Sequence, residues 1–153
     1  MTTDPTPDAE ALEKVRETRR GVRRASVELE EALARPAGMD ARAWSADVAE
    51  RLAVLAAAFE RHAEQSEGPQ GLLGEIVEVN PRVVNAVQQI KREHVTIQRH
   101  IVELEAAARG GEDAGVEPVR ERALRLLQAL SRHRQRGADL LYEAYSVDIE
   151  GSD

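Results

Sequence analysis

Apolar residues recur along most of the chain in alternating steps of three and four, the spacing that lines one face of an α-helix. Four such stripes can be traced, and helix breakers separate them. The first covers residues 8–35 through Leu12, Val15, Arg19, Val22, Ser26, Leu29 and Leu33, and Pro36 and Gly38 end it. The second starts at Asp40, a good N-cap, and carries Val48, Leu52, Leu55, Phe59, His62 and Ser66 before Gly68-Pro69 stops it. The third opens at Asn80-Pro81, a capping residue followed by proline at the first helical position. It carries Val83, Val87, Ile90, His94, Ile97, Ile101 and Leu104, and ends at Gly110-Gly111. The fourth begins near Val116 or Pro118 and continues to about Tyr145 through Val119, Ala123, Leu126, Leu130, His133, Gly137, Leu140 and Ala144. Between the second and third stripes, Gly71-Leu72-Leu73-Gly74-Glu75-Ile76-Val77 reads as a short helical connector.

Four long helices joined by short connections predict an all-α fold, an antiparallel up-down four-helix bundle with a short extra helix between helices two and three. One bundle domain is expected over residues 8–146. Flexible tails are expected over residues 1–7, which hold two prolines, and over residues 147–153. Composition agrees with this picture. Ala, Arg, Glu and Leu dominate, and one Phe, one Trp and two Tyr leave little from which to build a sheet. At 153 residues the chain can bury a core without disulfide staples.

Charge and cysteine content narrow the function classes. A net charge of −7 argues against a nucleic-acid or anionic-membrane partner. The absence of cysteine excludes disulfides, thiolate iron–sulfur sites and zinc ribbons, and fits a cytoplasmic protein. Met1-Thr2-Thr3-Asp4-Pro5 lacks the basic-then-apolar order of a secretion signal, and no apolar stretch is long enough to span a bilayer. No phosphate-cradling glycine loop is present, since Gly71-Leu72-Leu73-Gly74 is too short and apolar. Ser66, one turn from His62, is a poor candidate nucleophile because same-helix neighbours at that spacing are common. Arg132, Arg134 and Arg136 flank His133 on differing faces and read as a solvated surface. Trp44, Tyr142 and Tyr145 read as packing anchors near helix ends.

The candidate chemistry lies on the seams. Three of the four stripes are interrupted by one histidine each, His62, His94 and His133, while His100 falls off its stripe and should face solvent. A single seam histidine is ordinarily a hydrogen-bonded core residue, but three on three stripes point to a shared site. Imidazole is the commonest side-chain ligand for transition metals, and bundle cores are natural places for them. The first stripe is interrupted by Arg19 instead, whose stem can pack while its head reaches water.

At these residues the chain resembles the hemerythrin-like family of cation-binding four-helix bundles. The resemblance is carried by Phe59-Glu60-Arg61-His62 running into Ser66-Glu67-Gly68-Pro69, by Arg92-Glu93-His94, and by His133 followed by Leu140-Leu141-Tyr142-Glu143-Ala144-Tyr145. It covers most of the chain and implies a non-haem iron site. Several positions depart from the family's di-iron pattern. Arg19 stands about where the first helix supplies a histidine, Gln98 where the third supplies its second histidine, and Gly137 and Ala138 where the fourth supplies an acid. Ser66 holds the next-turn carboxylate position, with Glu67 one residue further on.

Too few ligands therefore remain for an intact di-iron centre. What the resemblance implies is a reduced or decayed site that binds one iron or another divalent transition metal through His62, His94, His133 and Glu67, with oxygen or redox sensing rather than turnover as its use. The alternative is a metal-free helical interaction module, engaging a partner protein or a second copy, in which the histidines are structural. Arg19 would then supply positive charge and pair with an acid such as Glu67.

Overall fold

The structure, a computed structural model, describes residues 5–110 and 115–149. Among them every regular element is helical: α1 (Ala9–Ala34), α2 (Ala41–Glu67), α3 (Leu72–Val79), α4 (Val84–Arg109) and α5 (Val116–Tyr145), with a 3-10 turn at Pro81–Val83 leading into α4. The caps read at Asp40 and Asn80 are present, and Asp8 caps α1 in the same way. The Asp8 and Asp40 carboxylates accept from the Ala11 and Ala43 amides, each at 2.9 Å, and the Asn80 side chain accepts from the Arg82 amide at 3.2 Å. Each cap satisfies a backbone donor that the first helical turn leaves without a partner. Gly71 is required where the chain leaves α2, because a Cβ there would lie 2.3 Å from the Ser66 carbonyl oxygen.

The four long helices form a bundle in which α1 packs along α2, α2 along α4 and α4 along α5, while α1 meets α5 more sparingly. All seam positions read on the second and third stripes are buried, as are those on the fourth except half-buried Gly137. The first stripe is displaced. Leu12, Val22 and Ser26 are only half-buried, and the alanines Ala11, Ala25 and Ala32 join Val15, Leu29 and Leu33 inside. Looser packing against α5 lets α1 settle with its smallest side chains inward.

The core is in two parts. One apolar cluster gathers Leu29, Leu33, Trp44, Leu52, Leu55, Phe59, Ile101, Leu104 and Leu126. The other gathers Val15, Leu72, Leu73, Ile76, Val87, Ile90, Leu140, Leu141 and Tyr145. The connector α3 supplies three of the residues in the second cluster, continuing the wall beyond the end of α2. Trp44 anchors the first cluster. Its indole N–H donates to the Arg35 carbonyl at 3.0 Å, and the Arg120 guanidinium lies 5.1 Å over its ring. Tyr145 anchors the second by donating its hydroxyl to Glu75 at 2.9 Å, whereas Tyr142 is exposed. Burial and the Glu75 carboxylate raise the Tyr145 hydroxyl pKa above its ordinary value.

The expected C-terminal tail needs correction over its described part. Ser146 adopts a left-handed conformation (φ 56°) that ends α5, and the chain then turns back so that Ile149 is buried in the second cluster. Arg16 holds the segment by donating to the Ile149 carbonyl at 3.0 Å and the Asp148 carbonyl at 3.2 Å. A lone isoleucine beyond a helix end offers no periodicity from which this docking could be read. Residues 1–4 of the expected N-terminal tail and 150–153 of the C-terminal one lie outside the described residues. Replacing the buried side chain in Ile149→Ala is expected to cost about 2 kcal/mol or more in urea unfolding. A change within about 0.5 kcal/mol, as for a frayed surface position, would show that the segment is not docked.

Candidate metal centre

Each half of the core ends at the same level, and a polar layer fills the gap between them. On α2 it falls at His62 and Ser66, on α4 at His94, on α5 at His133 and Gly137, and on α1 at Thr18 and Arg19. The three histidines are buried and converge: one ring nitrogen from each lies within 4.8 Å of the others. The imidazole centroids are 4.8–5.8 Å apart, and Phe59 forms a lid on the first apolar cluster, 5.7–5.9 Å from every ring. His100 is exposed, as expected.

The outward nitrogen of each histidine is already committed. His94 Nδ1 lies 2.7 Å from a Glu67 carboxylate oxygen, and His133 Nδ1 lies 2.7 Å from a Glu93 carboxylate oxygen. An ionised carboxylate can only accept, so both Nδ1 atoms carry the proton. His62 Nδ1 lies 3.3 Å from the Thr18 hydroxyl, which spends its own proton on the Val15 carbonyl at 3.1 Å. The Thr18 oxygen therefore accepts, and His62 too is protonated at Nδ1. In all three rings the free lone pair then belongs to Nε2. His94 Nε2 is buried with no hydrogen-bond partner, an orphan that a core ordinarily does not tolerate. A metal ion accepts such lone pairs, and an outer carboxylate on the other ring nitrogen is the usual way to orient an imidazole ligand.

Electrostatics favour the ligating form. Burial lowers the pKa of all three imidazoles from the ordinary 6.5. For His62 the neighbouring imidazoles and Arg19 add to the effect of burial. For His94 and His133 the hydrogen bonds to Glu67 and Glu93 oppose it without overcoming it, and His133 falls to about 4. Neutral imidazole is the form that binds metal, so the site needs no proton loss near pH 7.

The sequence-derived set divides here. His62, His94 and His133 come together, while Glu67 stands behind His94 on its Nδ1, as an orienting partner. Gln98 is turned to the Ala56 carbonyl at 3.2 Å, and Ser66 back-bonds to the His62 carbonyl at 2.8 Å. Arg19 directs its guanidinium at the Arg134 carbonyl, both terminal nitrogens at 3.4 Å. Its Nη1 would sit 3.1 Å from a Cβ at Gly137, so the glycine on α5 leaves the room that the arginine on α1 occupies. Glu93 and Thr18 were not singled out by their sequence pattern. Glu93, also paired with Arg136, had only its place beside His94 to mark it, and it serves a histidine on another helix.

Comparison of the chain with protein-family models, curated proteins and solved structures finds no match. The site's own geometry therefore carries the functional argument.

Because the folded histidines resist protonation, the unfolded chain binds more protons below pH 6.5. Their contribution is fully present above that pH and is lost as pH falls toward about 4, where His133 titrates when folded. In chelator, the urea midpoint is expected to fall steadily from pH 6.5 to 5, above the usual carboxylate range, with each excluded proton worth up to about 1.4 kcal/mol per pH unit. His133→Gln should flatten this slope. A midpoint constant over that window would contradict buried neutral imidazoles.

Proposed function

We propose that this chain is a hemerythrin-like, antiparallel up-down four-helix bundle that holds one divalent transition-metal ion on His62, His94 and His133. The observation that carries this is the common orientation of the three imidazoles. Each Nδ1 is engaged by Glu67, Glu93 or Thr18, one nitrogen of each ring lies within 4.8 Å of the others, and His94 Nε2 is buried with no hydrogen-bond partner. Three imidazoles favour a first-row transition metal over magnesium or calcium, which take oxygen ligands. Iron is the ion named by the family resemblance, and it supplies a one-electron redox couple. The chain's part is to hold the three rings together, to shield them between two apolar clusters, and to leave His62 and His133 at the inner end of a cleft between α1 and α5. That arrangement suits metal binding with oxygen or redox sensing better than it suits a dinuclear enzyme centre, which needs more carboxylates than this layer presents.

A second reading is favoured by a separate observation. The imidazoles also pack edge-on against one another and Phe59, as rings in a metal-free core do. Val54, Val95 and Val102 stand exposed on α2 and α4, where a partner protein or a second copy could cover them.

Elemental analysis of protein reconstituted with ferrous iron separates the two. One metal per chain is expected, with a melting temperature that drops in chelator. Glu93→Gln should weaken metal affinity about 10–100-fold through its effect on the His133 ring. Metal content near zero after reconstitution, with melting unchanged by chelator, would establish the metal-free module instead.

A further inference from the structure

Where α2 packs along α4, the surface holds a shallow groove of about 510 Å³, lined by residues of these two helices alone. Its apolar strip is Ala63 of α2 with Val95 and Val102 of α4, and the two valines are 67% and 51% exposed. Val95 and Val102 stand two turns apart on one face of α4, about 10 Å along its axis. Exposed apolar side chains that form a strip, rather than standing singly, mark a surface that something covers.

The rim decides what fits. Glu60, Glu64 and Glu67 line the α2 side at one-turn spacing, and Glu103 lines the α4 side. The one cation in the lining is Arg99, which lies 3.9 Å from Glu103. Glu67 is bonded to the neutral ring of His94, and Glu60 and Glu64 make no ion pair among the described residues. Like charges one turn apart repel each other, so these carboxylates carry a small cost that an incoming cation removes. Gln98 adds an unmet acceptor. Its Nε2 is spent on the Ala56 carbonyl at 3.2 Å, and its Oε1 is buried with no hydrogen-bond partner. What the groove leaves unmatched is therefore apolar surface, negative charge and an acceptor. A second copy docked about a two-fold axis through this face would set the glutamates against their own duplicates, which like-charge repulsion disfavours.

We propose that the α2–α4 groove is the docking site for a basic amphipathic helix of a partner protein, whose apolar face covers Val95 and Val102 and whose lysines or arginines meet Glu60, Glu64 and Glu67. A helix laid in a groove is anchored by apolar side chains at steps of three, four and seven residues. Two turns of such a helix advance about 11 Å, which matches the separation of the two valines. Docking rests on the exposed α2–α4 face and needs no metal on the histidines. It would still be felt there, because Glu67 is both a rim residue and the carboxylate that orients His94.

The probe is a fluorescein-labelled peptide of about fourteen residues, leucine and lysine only, with its leucines on one helical face. It is titrated with the full chain in chelator and read by fluorescence anisotropy. Saturable binding of one peptide per chain is expected, weakening as salt is raised. Glu60→Gln with Glu64→Gln should weaken it about three- to tenfold, and Val95→Ser with Val102→Ser about tenfold. Glu30→Gln with Glu121→Gln removes the same charge from α1 and α5 and should leave affinity within about twofold. All six positions are exposed, so the variants should melt as the parent does. The same peptide residues in an order without an apolar face should bind at least about tenfold more weakly. Absence of saturable binding to the parent would overturn the proposal. Equal weakening by the two glutamate pairs would also overturn it, as an effect of net charge alone, and so would indifference to the valine pair, which would place the peptide elsewhere. Dimerisation of the parent in sedimentation that the valine pair abolishes would overturn it in favour of a second copy. Because chelator is present throughout, failure here leaves the metal-binding reading standing.

Discussion

A ring nitrogen buried without a partner is costly, and much of the middle of this bundle is arranged around that constraint. Three imidazoles occupy the level at which the two apolar clusters stop. Each needs an acceptor for one nitrogen and something to take the lone pair of the other. The acceptors come from the periphery of the layer: Glu67 at the last position of α2, Glu93 beside His94 on α4, and Thr18 on α1. Because each acceptor lies on a different helix from the ring it serves, the layer ties α1 to α2, α2 to α4 and α4 to α5. It thereby fixes helix register as well as ring orientation.

The residues of the polar layer that are not histidines make structural sense together. Arginine on α1 and glycine on α5 would be unrelated changes if their side chains were distant. The guanidinium occupies the space that any side chain at Gly137 would enter. Serine at position 66 closes onto its own helix, and glutamine at position 98 turns to the backbone of α2, so neither projects a ligand into the centre. The layer has fewer ligating groups than a dinuclear centre needs, yet most of its polar atoms are paired. The orphaned His94 nitrogen is the principal exception at the centre.

A site so built is closed above and below by apolar side chains and bounded on most sides by well-packed helices. It opens along the α1–α5 seam, where a cleft reaches His62 and His133. Weak packing along that seam therefore has two consequences with one cause. It lets α1 settle on its alanines, with several larger seam residues only half-buried, and it gives the histidines access to solvent through a cleft lined with arginine. Stability at this seam and access to the centre are set against each other.

The helices, their caps and the three buried histidines were legible in the chain because each rests on local rules. A period of three to four marks a helix face, Asp and Asn followed by a helical run mark a start, and an interruption of a stripe marks a polar residue in the core. Glu67 was legible as a site residue but not in its role, since one step along a helix turns a side chain by about 100° and only the packed neighbour shows what it meets. Glu93 and Thr18, the docking of Ile149, and the meeting of Arg19 with Gly137 depend on contacts between residues from 40 to 133 positions apart. Such contacts are decided by helix register and the angle of approach, and a stripe on one helix carries no information about the level at which its neighbour stands. The sequence by itself determined which residues go inside on α2, α4 and α5; the tertiary structure decided which face of α1 is buried, which nitrogen of each histidine faces out, and what holds it there.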